Sequence, residues 1–356
     1  MNKRFLTLSV ESVHSETNDA IVVSFKPSNR SGFAFHPGQY LTLRTDIAGK
    51  AEQRCYSISS TPNASTIDVA IKRVLGGRFS EWAHAALRPG VEIDVLPPEG
   101  RFGLMPDPDA ARRYLAIAAG SGVTPIMSLA KALMAAEPHS EMTFVYGNRA
   151  MGTIMFREVL EDLKDQYLER FSLIHVLSGE AQDVPLFHGR VDGERLTRLA
   201  EAGLVNGAQA DAIFICGPGD MPEVVRTTLL AQGASEGAIH MERFVPTPGA
   251  RVAAAEIPAD PKATFSITAI ADGAARRFEM RAGDVSAIAA AERAGIELPS
   301  SCRGGMCCTC RARVIEGEAK MVVNYSLEPW ELEAGFVLAC QTRPTSASLT
   351  LDFDAV

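Results

Sequence analysis

The feature that most constrains this 356-residue chain is a run of cysteines near its C-terminus. Cys302, Cys307 and Cys310 stand in the string Cys-Arg-Gly-Gly-Met-Cys-Cys-Thr-Cys, a C-x4-C-x2-C spacing, and Cys340 follows far downstream. That pattern is the one a [2Fe-2S] loop requires, because three sulfurs from one tight loop and a fourth from elsewhere must surround two irons. Gly304 and Gly305 permit backbone turns that aim amide N–H groups at the sulfurs. Cys308 sits between two ligands that point elsewhere and reads as a non-ligand. Four thiolates also suit a tetrahedral zinc ion. Zinc ligands, however, usually come as short-spaced pairs of cysteines, which favours iron.

The rest of the chain separates into zones of different texture. From about 5 to 105, short β-rich runs (20–25, 39–43, 66–71) alternate with turn residues, as in a small antiparallel barrel. From 112 to 244, strand-like runs (114–118, 142–146, 171–177, 212–216) alternate with helix-like segments, which predicts a parallel α/β sheet. Residues 245–261 are rich in Pro and Ala and read as a linker. In the tail, Asp272-Gly273 turns a hairpin between 265–270 and 277–280, and Asp284 is placed to cap a helix over 285–294 that stops at Gly295. The expected division is 1–107, 108–245, a linker at 246–261, and 262–356. With 46% hydrophobic residues, a chain of this length can bury several cores.

A formal net charge of −8 excludes the basic footprint that a phosphate backbone needs, so nucleic acid is not an expected partner. Lys3 and Arg4 precede only a short apolar run, 5–10, which reads as an opening strand rather than a secretory leader. The most apolar long stretch, 114–136, is interrupted by Gly120-Ser121-Gly122 and Thr124-Pro125, which suits strand, loop and helix better than a membrane span. No membrane partner is expected and the protein is placed in the cytoplasm, where clustered thiols serve as ligands rather than disulfides.

Four further motifs carry chemistry. Gly120-Ser121-Gly122-Val123-Thr124-Pro125 follows a strand and opens a helix, so a pyrophosphate could approach the backbone and face the helix N-terminus, with Thr124 as cap and Pro125 in the first turn. Cys216-Gly217-Pro218-Gly219-Asp220-Met221 repeats the arrangement after a second strand, and two such turns make one crevice in an open α/β sheet. In the first zone, alternation along Arg54-Cys55-Tyr56-Ser57-Ile58-Ser59-Ser60 puts Arg54 and Tyr56 on one side, a guanidinium for phosphate and a ring for a flat aromatic ligand. Then Lys72-Arg73-Val74-Leu75-Gly76-Gly77-Arg78-Phe79-Ser80 places two glycines before a helix, a second anion site.

In this order the pieces resemble the ferredoxin-reductase superfamily, and the tail resembles plant-type ferredoxins. The resemblance implies a multi-domain protein: an antiparallel β-barrel flavin domain, an α/β parallel-sheet nucleotide domain and an α+β (β-grasp) ferredoxin domain. It implies that Arg54, Tyr56, Ser57, Lys72, Gly77, Arg78, Phe79 and Ser80 hold the flavin, and that Gly120, Gly122, Thr124, Pro125, Cys216, Gly217 and Pro218 hold NAD(P)H. Cys216 is then expected near the nicotinamide, and Glu242 and Phe244 near the flavin, which makes Tyr56, Cys216 and Glu242 the candidate catalytic residues. FMN-using members tend to have Asn at the position of Ser60, so Ser60 and the Gly76-Gly77 turn favour FAD. No carboxylate follows the strand 142–146 to accept ribose hydroxyls, and Arg149 suits a 2′-phosphate, which favours NADPH over NADH.

The Tyr-Gly-Asn-Arg stretch, Met155-Phe156-Arg157-Glu158 and Cys-Cys-Thr-Cys are similar to the reductase subunits of phenylacetyl-CoA epoxidases. The implied partner is an oxygenase component that accepts single electrons. A reductase for a ring-hydroxylating dioxygenase or a steroid hydroxylase shares every motif, and a zinc-stabilised flavoprotein acting as a binding or sensor module is the alternative of a different class.

Overall fold

The computed structural model describes residues 5–29, 31–244 and 263–355. The chain forms two compact units, one within Arg4–Phe244 and one within Val245–Val356. The linker expected at 246–261 lies outside the described residues.

The first unit opens with six strands: β1 (Leu6–Thr17), β2 (Ala20–Phe25), β3 (Tyr40–Asp46), β4 (Ala51–Ser57), β5 (Ile67–Lys72) and β6 (Glu92–Glu99). They pair antiparallel in the order β4-β3-β6-β1-β2-β5, and a bridge from Ile58 to Val69 joins the two ends. This is the expected antiparallel barrel. β1 runs well past the apolar stretch 5–10, because register shifts at Val10/Ser12 and Ser15/Thr17 carry its polar half along β2. Phe25, Leu41, Leu43, Ile58, Val69 and Ile71 are withdrawn from solvent inside it. Helix α1 (Arg78–Ala86) adds Phe79 and Ala83 to the same core.

The parallel sheet follows, built from β7 (Arg113–Ala119), β8 (Glu141–Asn148), β9 (Phe171–Leu177), β10 (Ala212–Cys216) and β11 (Ile239–Glu242). Its order is β11-β10-β7-β8-β9, connected by α2 (Val123–Ala136), α3 (Arg157–Gln166), α4 (Gly193–Glu201) and α5 (Met221–Ala231). The direction of winding reverses at β7, whose neighbours are β10 and β8, so a crevice opens at the carboxyl ends of β7 and β10. One face of the sheet, with Phe144, Tyr146 and Phe214, shares a continuous core with Ala20, Val22 and Ala70 of the barrel.

In the second unit β12 (Thr264–Ala271), β13 (Ala274–Arg281), α6 (Ala287–Arg293), β14 (Arg311–Met321), α7 (Pro329–Glu333), β15 (Phe336–Leu338) and β16 (Thr342–Asp352) make a mixed sheet ordered β13-β12-β16-β14-β15. Only β12 and β16 run parallel, the β-grasp arrangement. Asp272 and Gly273 both take left-handed angles (φ 54° and 69°), which a two-residue hairpin turn needs. Helix α6 corrects one expectation. It starts at Ala287 and is capped by Ser286, whose hydroxyl accepts from the Ala289 N–H at 3.3 Å. Asp284 instead accepts from the Arg281 N–H (2.8 Å) and pairs with Arg293 (2.7 Å), which holds its carboxyl below the usual range.

At the end of α2, Glu137 has no exposed surface and accepts from Tyr114 Oη (2.6 Å), Ser140 Oγ (2.6 Å), the Asp107 N–H (3.0 Å) and Arg112 (3.2 Å). Glu137→Ala strands these donors at the foot of the parallel sheet and should lower the unfolding free energy by roughly 2–4 kcal/mol. A loss below about 1 kcal/mol in denaturant unfolding would contradict this.

Candidate active site and metal centre

Strand β4 presents Glu52, Arg54 and Tyr56 on one face by simple alternation. Glu52 is 8% exposed and braces two guanidiniums, Arg54 at 3.4 Å and Arg78 at 3.0 Å. Both arginine side chains remain about half exposed (52% and 49%) beside the turn that opens α1, where Gly76 takes φ +73° with open space in place of a side chain. Two cations and a glycine turn at a helix N-terminus fit the pyrophosphate of a dinucleotide. At Gly77 a Cβ would meet Ser80 Oγ at 2.7 Å and Val74 O at 2.9 Å, so the turn admits no side chain.

The remaining flavin-side candidates take supporting places. Phe79 is core, 1% exposed, with its ring 5.7 Å from that of Tyr56, which it backs. The Ser80 hydroxyl accepts from the Val74 N–H (3.0 Å) and shapes the turn. Ser60 is buried and its hydroxyl accepts from the Asp68 N–H (3.0 Å). Lys72 pairs with Asp19 at 3.4 Å. Sequence reading missed Glu52, although the alternation Glu-x-Arg-x-Tyr was there to be read.

The two glycine turns of the sheet lie back to back. A Cβ on Gly122 would stand 2.1 Å from the backbone Cys216 O, so that position is closed to side chains, whereas one on Gly217 would meet the movable Met221 Sδ at 2.3 Å. Gly120, by contrast, has φ +54° and open space, and its carbonyl is held by Tyr146 Oη at 2.9 Å. Thr124 does not cap the helix. Helix α2 begins at Val123 after a 3-10 turn over Gly120–Gly122, and the Thr124 hydroxyl donates back to Ser121 O (3.0 Å), with Pro125 beside it in the first turn. Pro218 is exposed at the mouth of the second turn, and Arg149 is exposed just beyond β8.

Register brings the candidate catalytic residues together. Cys216 pairs with Glu242 across β10 and β11, and with Ala118 across β10 and β7. Glu242 then accepts a hydrogen bond from Ser57 Oγ of the barrel at 3.0 Å, next to Tyr56. Burial pushes the Glu242 carboxyl up to about 8, against the opposing pull of Ser57. Burial, reinforced by Glu242, also pushes up the Cys216 thiol, which therefore stays protonated, and burial raises the Tyr56 phenol. Phe244 follows two residues after Glu242 with its ring 38% exposed.

The candidate metal ligands gather in the second unit. The thiol of Cys302 lies beside that of Cys307, and the thiol of Cys310 beside that of Cys340. N–H groups point at these sulfurs: Cys302 N to Cys307 (3.4 Å), Gly304 N and Met306 N to Cys302 (3.4 and 3.3 Å), Cys340 N to Cys310 (3.4 Å) and Gln341 Nε2 to Cys340 (3.5 Å). Such donors stabilise thiolate charge, so this thiol set fits an iron–sulfur cluster. The left-handed residues of the loop are Arg303, Gly305 and Cys308 rather than Gly304, and at Gly305 a Cβ would press on Val323 O at 3.2 Å. Cys308 turns its thiol to Ser326 O (3.4 Å).

Fold and site together define an electron-transfer flavoprotein reductase with its own ferredoxin-like unit. Residues 7–103 match the oxidoreductase FAD-binding domain, 116–227 the oxidoreductase NAD-binding domain and 269–345 the 2Fe-2S iron-sulfur cluster binding domain. The chain is 42% identical to a subunit of the 1,2-phenylacetyl-CoA epoxidase of Escherichia coli (strain K12), over 99% of this chain and 98% of that one. It is 32% identical to the ferredoxin reductase component of 3-ketosteroid-9-alpha-monooxygenase of Mycolicibacterium smegmatis, over 99% and 98%. The fold of phthalate dioxygenase reductase superposes with a TM-score of 0.58 at 22% identity, covering 98% of each chain. The chain belongs to the family of oxygenase reductase components that carry FAD-, NAD- and [2Fe-2S]-binding domains.

The raised Glu242 carboxyl has a sign that can be measured. Below pH 4.5 it is protonated folded or unfolded; between 4.5 and about 8 only the folded chain keeps the proton, so stability falls as pH rises through that window. Glu242→Gln should therefore flatten the decline in denaturant midpoint between pH 5 and pH 8, and an undiminished slope would contradict the assignment. At the other centre, Cys308→Ser should keep full iron content, whereas Ser at Cys302, Cys307, Cys310 or Cys340 should lose it. Equal iron loss in Cys308→Ser would contradict the ligand set.

Proposed function

We propose that the protein takes reducing equivalents from NADPH and delivers single electrons to an oxygenase component, that of a phenylacetyl-CoA epoxidase. The observation that carries this reading is the meeting of Ser57, Glu242 and Cys216 at the carboxyl edge of a nucleotide-binding sheet, in a chain that also gathers four N–H-bonded thiols. The 42% identity over essentially the whole chain supports the epoxidase as partner, and the 32% identity to a steroid monooxygenase reductase component is what keeps a second oxygenase class in view.

Bound FAD would supply a hydride acceptor for the nicotinamide, and a [2Fe-2S] centre would supply the one-electron chemistry that divides the pair. The chain's residues bind, orient and shield. Arg54 and Arg78 neutralise the pyrophosphate of FAD, with Lys72, Gly77 and Ser80 around the same turn and Tyr56 against the ring system, backed by Phe79. Gly120, Gly122, Thr124, Pro125, Gly217 and Pro218 line the nucleotide crevice, and Cys216, a neutral buried thiol, supplies a smooth apolar wall rather than a nucleophile. Glu242 holds a proton near neutral pH while its Oε2 accepts from Ser57 Oγ, so the carboxyl can donate to a nitrogen placed beside it. Phe244 shields this edge. Cys302, Cys307, Cys310 and Cys340 hold the irons. We place the domains at 1–107, 108–245 and 262–356, and the protein in the cytoplasm; among the described residues no helix is long and apolar enough to cross a membrane.

Anaerobic titration of the purified protein with NADPH should bleach flavin bands and an added iron–sulfur shoulder, and oxidised epoxidase component should restore them on addition. Bleaching of flavin bands alone, in protein holding zinc and no iron, would overturn the reading. Restoration by a steroid or ring-hydroxylating oxygenase but not by the epoxidase would move the partner. Arg149→Ala should cost about tenfold in the NADPH-over-NADH ratio of kcat/KM, the equivalent of one lost charge-assisted contact. An unchanged ratio would remove the NADPH preference.

A further inference from the structure

The string Met155-Phe156-Arg157-Glu158 has no place in the chemistry above, yet it occupies a distinctive position. Phe156 is 5% exposed, takes φ +58° and stands at the N-terminus of α3 without a side-chain cap of its own. Its N–H is caught by the carboxylate of Glu16, which comes from β1 of the barrel, 140 residues away in sequence. A carboxylate at the head of a ten-residue helix is favoured by the helix dipole, and it holds the non-glycine left-handed residue in place.

One more tie crosses the same boundary. Ser128, with no exposed surface, donates from α2 to Ser60 O at 2.6 Å, and Ser60 lies three residues after Ser57. Asp68 is in turn fixed by the Ser60 hydroxyl through its own N–H at 3.0 Å. Helix α2 is the element whose first turn carries the nucleotide glycines, so these contacts attach that turn to the strand end that carries Tyr56 and Ser57.

We propose that Ser128 and Glu16 form an interdomain clasp that sets the distance between nucleotide turn and flavin strand, and that they are positioning residues for hydride transfer. The inference rests on the reductase reading above and deepens it. Neither reaches the crevice residues Cys216 or Glu242 through any described hydrogen bond; each acts through backbone it holds. Their effect is thus on alignment, where small displacements cost rate more than affinity.

The test uses the full-length, flavin-loaded protein and the variants Ser128→Ala, Glu16→Ala and Glu16→Gln, mixed anaerobically with NADPH. The clasp predicts that the limiting rate constant for flavin reduction falls by about ten- to a hundredfold in Ser128→Ala and Glu16→Ala, with the nucleotide dissociation constant nearly unchanged. Glu16→Gln keeps an acceptor oxygen and should recover most of the rate. Amide hydrogen exchange supplies a readout that does not depend on turnover: Glu16→Ala should speed exchange in 153–160 and, across the boundary, in 66–72. Unchanged rate constants, an effect confined to nucleotide affinity, or faster exchange on the α3 side alone would each overturn the clasp. If Ser128→Ala fails to fold, the Glu16 pair still decides. A wild-type protein that NADPH does not reduce would sink the reductase reading instead, and the exchange result would still stand for or against the clasp.

Discussion

The hydrogen bond from Ser57 to Glu242 is the point on which the reductase unit turns, because it joins the last residue of a barrel strand to the last residue of the parallel sheet. Everything placed near it depends on register. Parallel pairing of β10 with β11 puts Cys216 level with Glu242, and pairing of β10 with β7 brings the two glycine turns to the same edge. The close approach of Gly122 to Cys216 O then leaves no room for slippage between those turns. Desolvation in this half-buried junction pushes the Glu242 carboxyl up, against the opposing pull of Ser57.

Rigidity around that junction is supplied by groups that do no chemistry. A shared apolar core joins sheet and barrel, and at the opposite end of α2 the buried Glu137 network secures the foot of the sheet. The second unit solves a different problem with similar means. It surrounds four thiols with backbone N–H groups, and left-handed turns at Arg303, Gly305 and Cys308 give its loop the curvature this requires. Around the loop, Arg303 pairs with Glu292 of α6, and Gln341 donates to Arg303 O at 2.9 Å.

Much of this was legible in the sequence, for physical reasons. Cysteine spacing survives any uncertainty about secondary structure, since ligand geometry fixes it. The strand at 212–216 is a continuous apolar run, the mark of a strand covered on both faces, and both it and the strand at 171–177 were read to the residue. What escaped reading depends on contacts between residues far apart. Glu52 is one charged residue among 43 Asp and Glu until the fold sets it between Arg54 and Arg78. Glu16 gains meaning only when Phe156 meets it. Local competition explains the smaller errors: Ser286 and Asp284 are both good caps, and Arg293 drew the aspartate away. Thr124 lost its capping place to a 3-10 turn that moved the helix start to Val123. Glu242 and Phe244 came from resemblance, since nothing in their local string distinguishes them.

The central claim is that one chain unites a hydride-accepting flavin and a thiolate-bound iron centre in a single electron path. The most direct measurement is quantification of flavin, iron and acid-labile sulfide in anaerobically purified protein, followed by low-temperature EPR before and after NADPH. The account predicts equal iron and sulfide alongside the flavin, and a reduced iron–sulfur signal that appears only after the nucleotide is added. Protein that lacks iron and sulfide while retaining full nucleotide-driven electron delivery to its oxygenase would contradict it.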